Sequence, residues 1–532
     1  MRFSFSPKYQ AGILAISWLG LSLPFVNRPL FVDDHAHFAE AMNLKEHWSR
    51  PYRSEGGLGW RPEKGPDEAN PLGYFYLVAA ITSLIGEQIW KIHLVMMAFN
   101  LAALLCFYSL ARRYLAHPFW AAWLWMVSPH FWLTANALLV DTLLAPVMLL
   151  GLWMWICAWE RNNNRLLAAA GIVLGLAPLV KYTGLLVWLA VIAWTWLETP
   201  HDRARRWFYA LLPCAVLVLW MAWTRFLYPQ SHLSAVAASS MTWPRWQTLV
   251  SLLGFLSALV PVTIILAAVS LLKNEDRVRV RAAVLLASGL AIGLSLGYLP
   301  LIGLQAGIWL GLTLLWFGVV PWRYLWQRTG GIWLTAWSFA GVIGLAIARD
   351  WVCARYLVIL SPPWVLLTVM ALERIDVFGK RFFRLTTMAA ATAFGLVLAI
   401  ADYQQAAVDW SVSQSLRAWQ PPGLVDVGYY PAAALGGLSL ALDPKAWKPL
   451  DPAAFVPSGA LALVPRRTLP LYFHPKLRAP QRLALWSYRS MLPFRTLDMV
   501  SGSGFYGTIW GPLPFGFTTA PLEIYSLVRE KA

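Results

Sequence analysis

Tyr9-Gln-Ala-Gly-Ile-Leu-Ala-Ile-Ser-Trp-Leu-Gly-Leu-Ser-Leu-Pro-Phe-Val26 is an apolar run behind Arg2 and Lys8, and it leads into Phe31-Val-Asp-Asp-His-Ala-His-Phe-Ala-Glu-Ala-Met42. The first stretch has the length a helix needs to cross a bilayer. It resembles a signal sequence but carries no small-residue cleavage site before Asn27-Arg28, so it reads as a retained first helix with a cytoplasmic N-terminus. The second stretch places paired acids, Asp33 and Asp34, just beyond that helix. Asp and Glu number 26 in the 532 residues, and eight of them fall between Asp33 and Glu68, so acid is concentrated at one membrane boundary.

Working outward, hydrophobic residues make up 58% of the chain and charged residues 13%. Apolar runs recur to about residue 401, with spans expected near 10–27, 91–111, 117–134, 138–158, 165–180, 183–198, 207–227, 248–272, 282–300, 303–320, 331–348, 354–372 and 383–401. The expected fold is an α-helical polytopic membrane protein of about thirteen helices. The run from Pro71 to Gly86 is short and has both flanks on one side, so it reads as an interfacial helix under the first outer loop, residues 28–90.

A net charge of +17 in a soluble chain would suggest nucleic acid; here the basic residues lie in short clusters between apolar runs, which excludes that partner. Nineteen of the 43 Lys and Arg fall on the side shared with the N-terminus, 12 on the other side before residue 402 and 12 beyond it. The bias sets the N-terminus inside and the first loop outside, an orientation that fits a plasma (inner) membrane and, by charge pattern alone, an endoplasmic reticulum membrane as well. Many of the 32 Trp fall near span ends, as interface anchors do. Cys106, Cys157, Cys214 and Cys353 offer no disulfide framework or metal spacing. From residue 402 apolar runs shorten, and Pro, Gly and charge rise. Residues 402–532 read as a soluble α/β domain on the outer, periplasmic side, with strands near 460–464 and 522–528, and residues 1–401 as the transmembrane catalytic domain.

Polar residues recur at the outer ends of spans: Asp141, Lys181, Arg349, Asp350 and Arg355. Ionisable groups at such depth tend to line a pathway or cavity. Asp34 and Asp141 also suit helix N-caps, and Arg349 and Asp350 suit a surface ion pair. Asp33, Asp34, His35 and His37 have the chemistry of divalent-metal ligands, but two acids and two His also arise on an exposed helix start, and the family resemblance that follows implies no metal or other cofactor.

Asp34-His-Ala-His-Phe-Ala-Glu40 resembles the acidic signature in the first outer loop of the GT-C glycosyltransferases that use polyprenyl-phosphate sugars, the group holding protein O-mannosyltransferases and the lipid A aminoarabinose transferase. Asn70-Pro71-Leu-Gly-Tyr74-Phe-Tyr-Leu77 is similar to its interfacial helix, Val140-Asp141-Thr-Leu-Leu to its second acidic motif, Leu179-Val-Lys181-Tyr-Thr-Gly184 to its lysine segment, Ala354-Arg355-Tyr356-Leu-Val-Ile-Leu-Ser-Pro-Pro363 to its late arginine helix, and Ala401-Asp-Tyr403 to the exit from the membrane domain. The chain departs from the pattern at His35 and at Ala69-Asn70. The resemblance implies an inverting transferase with catalytic carboxylates at Asp34, the base, at Asp33, its nearby substitute, and at Asp141, which would orient the acceptor or the first loop. It also implies Lys181, Arg355, Tyr356, His35, His37, Arg349 and Tyr74 as substrate contacts. Its partners would be a polyprenyl-phosphate sugar donor, a lipid, glycan or protein acceptor, and membrane lipids. The residues suit this chemistry: a carboxylate can take the acceptor's proton, and cations can hold the departing phosphate. A transporter or flippase of a lipid-linked sugar, or an oligosaccharide ligase, would also use many helices and an outer pocket.

Overall fold

The structure is a computed structural model that describes residues 6–49, 51, 60–61, 65–66, 69–198, 207–238, 245–272, 276–348, 352–374, 380–418, 427–429, 447–449, 455–467 and 476–530. Six described helices are long and apolar enough to cross a membrane, or seven if the bent pair Thr248–Ser257 and Pro261–Ala268 is one span. Four shorter apolar helices accompany them, Gly73–Ile85, Asn164–Val180, Tyr182–Glu198 and Val280–Ser295. The chain is a multi-pass membrane protein, and its described long spans are fewer than the thirteen expected from apolar runs.

Proline accounts for much of the difference. The expected span 117–134 is two helices, Pro118–Met126 and Pro129–Ala135, and the expected span 248–272 bends by 69° before Pro261. A proline has no N–H to give to a preceding turn and is tolerated at the first helical position, where Pro129 and Pro261 stand; Pro146 and Pro178, by contrast, lie inside continuous helices. Likewise 354–372 is a 3₁₀ turn, Ala354–Ile359, followed by the helix Ser361–Arg374. The stretch expected as interfacial is a 13-residue helix, Gly73–Ile85. At Gly73 an added Cβ would lie 2.7 Å from the carbonyl oxygen of Leu179, so glycine lets this helix touch the backbone just before Lys181.

Glycine also seams the helices Asp276–Ser295 and Pro300–Val319, which pack along their length through Gly289, Gly293, Gly303, Gly307 and Gly311. Small residues four apart let two membrane helices approach until their backbones touch. A Cβ at Gly307 would lie 2.7 Å from the Cα of Leu290. Gly307→Val is therefore expected to cost about 1–3 kcal/mol through overpacking, seen as a lower thermal midpoint in detergent; an unchanged midpoint would show that the seam is loose.

The last long helix, Arg381–Ala406, continues past residue 401 and breaks at Ala407 into Val408–Ala418. A five-stranded sheet follows, in the order Trp447–Pro449, Val427–Tyr429, Leu461–Pro465, Glu523–Glu530, Pro480–Tyr488. The two strands expected near 460–464 and 522–528 are its antiparallel central pair. Leu461, Leu463, Tyr525 and Leu527 on one face of the sheet pack against Val408 and Val412 of the short helix. Between the outer strand Pro480–Tyr488 and the last strand the chain leaves the sheet: Phe505, Tyr506, Trp510 and Phe515 join the main core of the helical region.

Candidate active site

Just beyond the first helix, the turn before the paired acids holds Val32 at φ +53 with its side chain fully buried. A left-handed backbone at a β-branched residue costs of order 1–3 kcal/mol and persists only where the surroundings fix it. The turn starts the helix Asp34–Glu46 with Asp33 and Asp34 pointing to different partners. Neither acid caps this helix through its side chain, and Asp141, in the first turn of Val140–Glu160, does not cap that one.

Asp34 is fully buried. One of its oxygens, Oδ2, accepts from Arg28 Nη1 at 2.8 Å and from the Phe31 N–H at 3.1 Å. The other, Oδ1, is buried with no hydrogen-bond partner. Burial, offset in part by Arg28, raises the Asp34 carboxyl to about 6. Arg28 is itself shared: its Nε donates to Asp402 Oδ2 at 2.9 Å and its Nη2 to the Tyr506 hydroxyl at 2.9 Å, while that hydroxyl donates to Asp402 Oδ1 at 2.7 Å. Thr496 Oγ1 also donates to Asp402 Oδ1, at 2.8 Å.

Asp33 turns the other way and forms an ion pair with Arg355 Nη2. Loss of hydration raises its carboxyl, but the Arg355 guanidinium outweighs this and holds it below the usual range. Arg355 Nε lies 3.7 Å from Asp141 Oδ2 and donates to Cys353 Sγ at 3.2 Å, while its Nη1 is buried without a partner. Lys181 Nζ donates to both oxygens of Asp141, at 2.7 and 2.8 Å, and stands 3.8 Å from the centre of the Tyr356 ring. Asp33, Arg355, Asp141, Lys181 and Tyr356 thus form one chain of contacts. His37 lies within the electrostatic reach of Asp33, Arg355, Lys181 and Asp141, and burial lowers its pKa to about 4. Tyr74 packs near it, ring centres 6.0 Å apart, with its hydroxyl buried and unpartnered.

Eight of the residues singled out in the sequence, Asp33, Asp34, His37, Tyr74, Asp141, Lys181, Arg355 and Tyr356, therefore come together. His35 does not point with them; its Nε2 donates to the Leu30 carbonyl at 2.8 Å. Arg349 and Asp350 lie outside the described residues. The four metal-ligand candidates do not converge, since Asp33 faces Arg355, Asp34 faces Arg28, His35 faces Leu30, and His37 faces the Leu138 carbonyl at 3.4 Å. Among the described residues no three His, Cys, Asp or Glu side chains are gathered as a metal set. Sequence reading missed Arg28, Asp402 and Tyr506. A lone Arg at the end of the first apolar run and an Asp at the end of the last one were the available signals.

Residues 69–228, which carry Tyr74, Asp141 and Lys181, match the family model described as dolichyl-phosphate-mannose-protein mannosyltransferase. That match spans under a third of the chain. Among solved structures it is similar to ArnT from Cupriavidus metallidurans bound to undecaprenyl phosphate, at 13% identity over 86% of this chain and 93% of that one, with a TM-score of 0.48. It is also similar to the arabinofuranosyltransferase AftD from Mycobacteria, at 13% identity over 99% of this chain and 40% of that one, with a TM-score of 0.42. No curated protein matches the chain.

Proposed function

We propose that this protein is a membrane glycosyltransferase of the GT-C type, which moves a single sugar from a polyprenyl phosphate to a hydroxyl or amine of an acceptor, with inversion at the anomeric carbon and Asp34 as the base. The observation that carries the reading is the Asp34 carboxylate, with one oxygen fixed by Arg28 and the Phe31 N–H and the other buried and unpartnered, beside a cluster that holds Lys181 and Arg355. In the step, the acceptor heteroatom forms a bond to the anomeric carbon as the bond from that carbon to the phosphate oxygen breaks. The bonding pair leaves with the polyprenyl phosphate, and the acceptor's proton passes to Asp34 Oδ1. The unpartnered Nη1 of Arg355 and the ammonium of Lys181 meet the charge that builds on the departing phosphate. A phosphate leaves without protonation, so one carboxylate base suffices and the second acid, Asp33, is free to hold Arg355 in place. The positive-inside bias supports placing this site on the outer face of the plasma membrane, with the sheet region on that same side.

The test is transfer by purified protein from a panel of radiolabelled polyprenyl-phosphate sugars to membrane extract, read as a function of pH. A carboxyl raised to about 6 must lose its proton to act as a base, so transfer is expected to fall as pH drops below about 6 and to level off above it. Absence of transfer from every donor, with folded protein, would overturn the reading.

A further inference from the structure

Arg28 also lines a cavity of about 440 Å3, between the start of the first loop, the start of the helix Ile89–Tyr114, and the break between Arg381–Ala406 and Val408–Ala418. Its wall includes Arg28, His35, Trp90, Tyr403, Asp409 and Trp410, and its volume falls within the roughly 300–1,000 Å3 of small-molecule sites. We propose that this cavity binds a neutral carbohydrate, the sugar body of the acceptor, beside the Arg28–Asp34 pair. The word acceptor rests on the transferase reading above; carbohydrate binding rests on the cavity alone.

The wall has what a sugar ring needs. Three aromatic side chains line it, and Trp90 and Trp410 are 43% and 53% exposed. A pyranose or furanose presents a C–H face that packs on such rings and a hydroxyl edge that wants both donors and acceptors. Asp409 supplies a carboxylate, one oxygen of which already accepts from the Tyr525 hydroxyl at 2.6 Å.

Charge selects against other occupants. Arg28 is already neutralised by two carboxylates, Asp34 at 2.8 Å and Asp402 at 2.9 Å, and Asp409 adds negative charge to the wall. The cavity therefore has no surplus cation to offer a phosphate or an anionic headgroup, which the Arg355 side does offer. A hydrocarbon chain would lay apolar atoms against the polar side chains of Arg28 and Asp409, with no hydroxyl to offer them. A neutral polyol satisfies both the rings and the polar groups.

The experiment is saturation-transfer NMR on the full chain in lipid nanodiscs, free of sugar-headed detergent. The probes are neutral disaccharides of glucose, galactose, mannose and arabinose, with hexose 1-phosphates alongside. At least one neutral disaccharide is expected to bind. Trp90→Ala and Trp410→Ala should each weaken it by about tenfold, the loss of one aromatic stacking partner. Trp48→Ala, at a ring 72% exposed and outside this wall, should leave it unchanged. In the transfer assay the two cavity variants should raise the acceptor KM more than they lower kcat. Since both rings are about half exposed, the variants are expected to keep the wild-type thermal midpoint, which is measured on the same samples. No neutral disaccharide binding, equal binding in both cavity variants, or sugar-phosphate binding that is lost in both cavity variants would each overturn the proposal. The two readings fail separately: an active enzyme that binds no neutral sugar removes this one, and a protein that binds sugar but transfers from no donor removes the transferase reading.

Discussion

Asp34→Asn is expected to lower transfer by about 10²–10⁴-fold, the range a positioned general base contributes, while the protein still inserts and accumulates. The asparagine keeps the shape of the side chain and can still accept from Arg28 and the Phe31 N–H, but it cannot take a proton. Stability should not suffer, and the sign follows from linkage. The folded carboxyl holds its proton up to about 6, whereas an unfolded one releases it near 3.8. Protonated Asp34 thus favours the fold at low pH, and that contribution is lost as pH rises through about 6. At neutral pH the ionised form is a net burden, which Asn removes. Transfer rates and thermal midpoints of the two proteins at neutral pH check both halves; full activity in the variant would remove Asp34 from its role.

Arg28→Gln should have the largest effect on the protein itself. The guanidinium, 1% exposed, stands between two buried carboxylates, and its removal leaves Asp34 and Asp402 charged, close together and unpaired. Breaking a buried ion pair in this way typically costs about 3–5 kcal/mol, so a steep fall in thermal midpoint or in the yield of folded protein is expected. Whatever folds should show its acid limb moved above pH 6, because the charge that holds the Asp34 carboxyl down is gone. Arg28→Lys, which keeps a cation but fewer donors, should fall between wild type and Arg28→Gln in both measurements. A midpoint unchanged in Arg28→Gln would mean that Asp402 and Tyr506 do not depend on it.

Much of the site was legible because charge is scarce in this chain. An Asp, Lys or Arg at the end of an apolar run, such as Asp141, Lys181 or Arg355, stands out against its surroundings, and so does the pair Asp33-Asp34. Arg28 and Asp402 obey the same rule, yet Arg28 reads equally well as a topology-setting charge and Asp402 as the exit of a helix. Nothing local tells that they meet, since 374 residues separate them. Tyr506 gave less signal still: it lies in a region whose composition reads as a separate soluble domain, and only the three-dimensional path of the chain from Leu497 to Phe517 carries it into the helical core. The apolar runs located the helices, but a hydropathy average passes over a single proline, so the breaks at Pro129 and Pro261 disappear into continuous spans.

The Arg28 cluster also sets an order of assembly. Arg28 and Asp34 leave the ribosome with the first helix, Asp402 follows hundreds of residues later, and Tyr506, 478 residues after Arg28, comes later again. Until then the young membrane bundle holds a guanidinium short of its second carboxylate and its phenol, and Arg355 lacks the backbone oxygen of Phe505 that its own N–H later meets at 3.3 Å. Contacts this distant in sequence form late. The buried cluster is therefore completed only at the end of synthesis, and a nascent chain halted before the aromatic loop would be a membrane protein already inserted with its Arg28 cluster still unfilled.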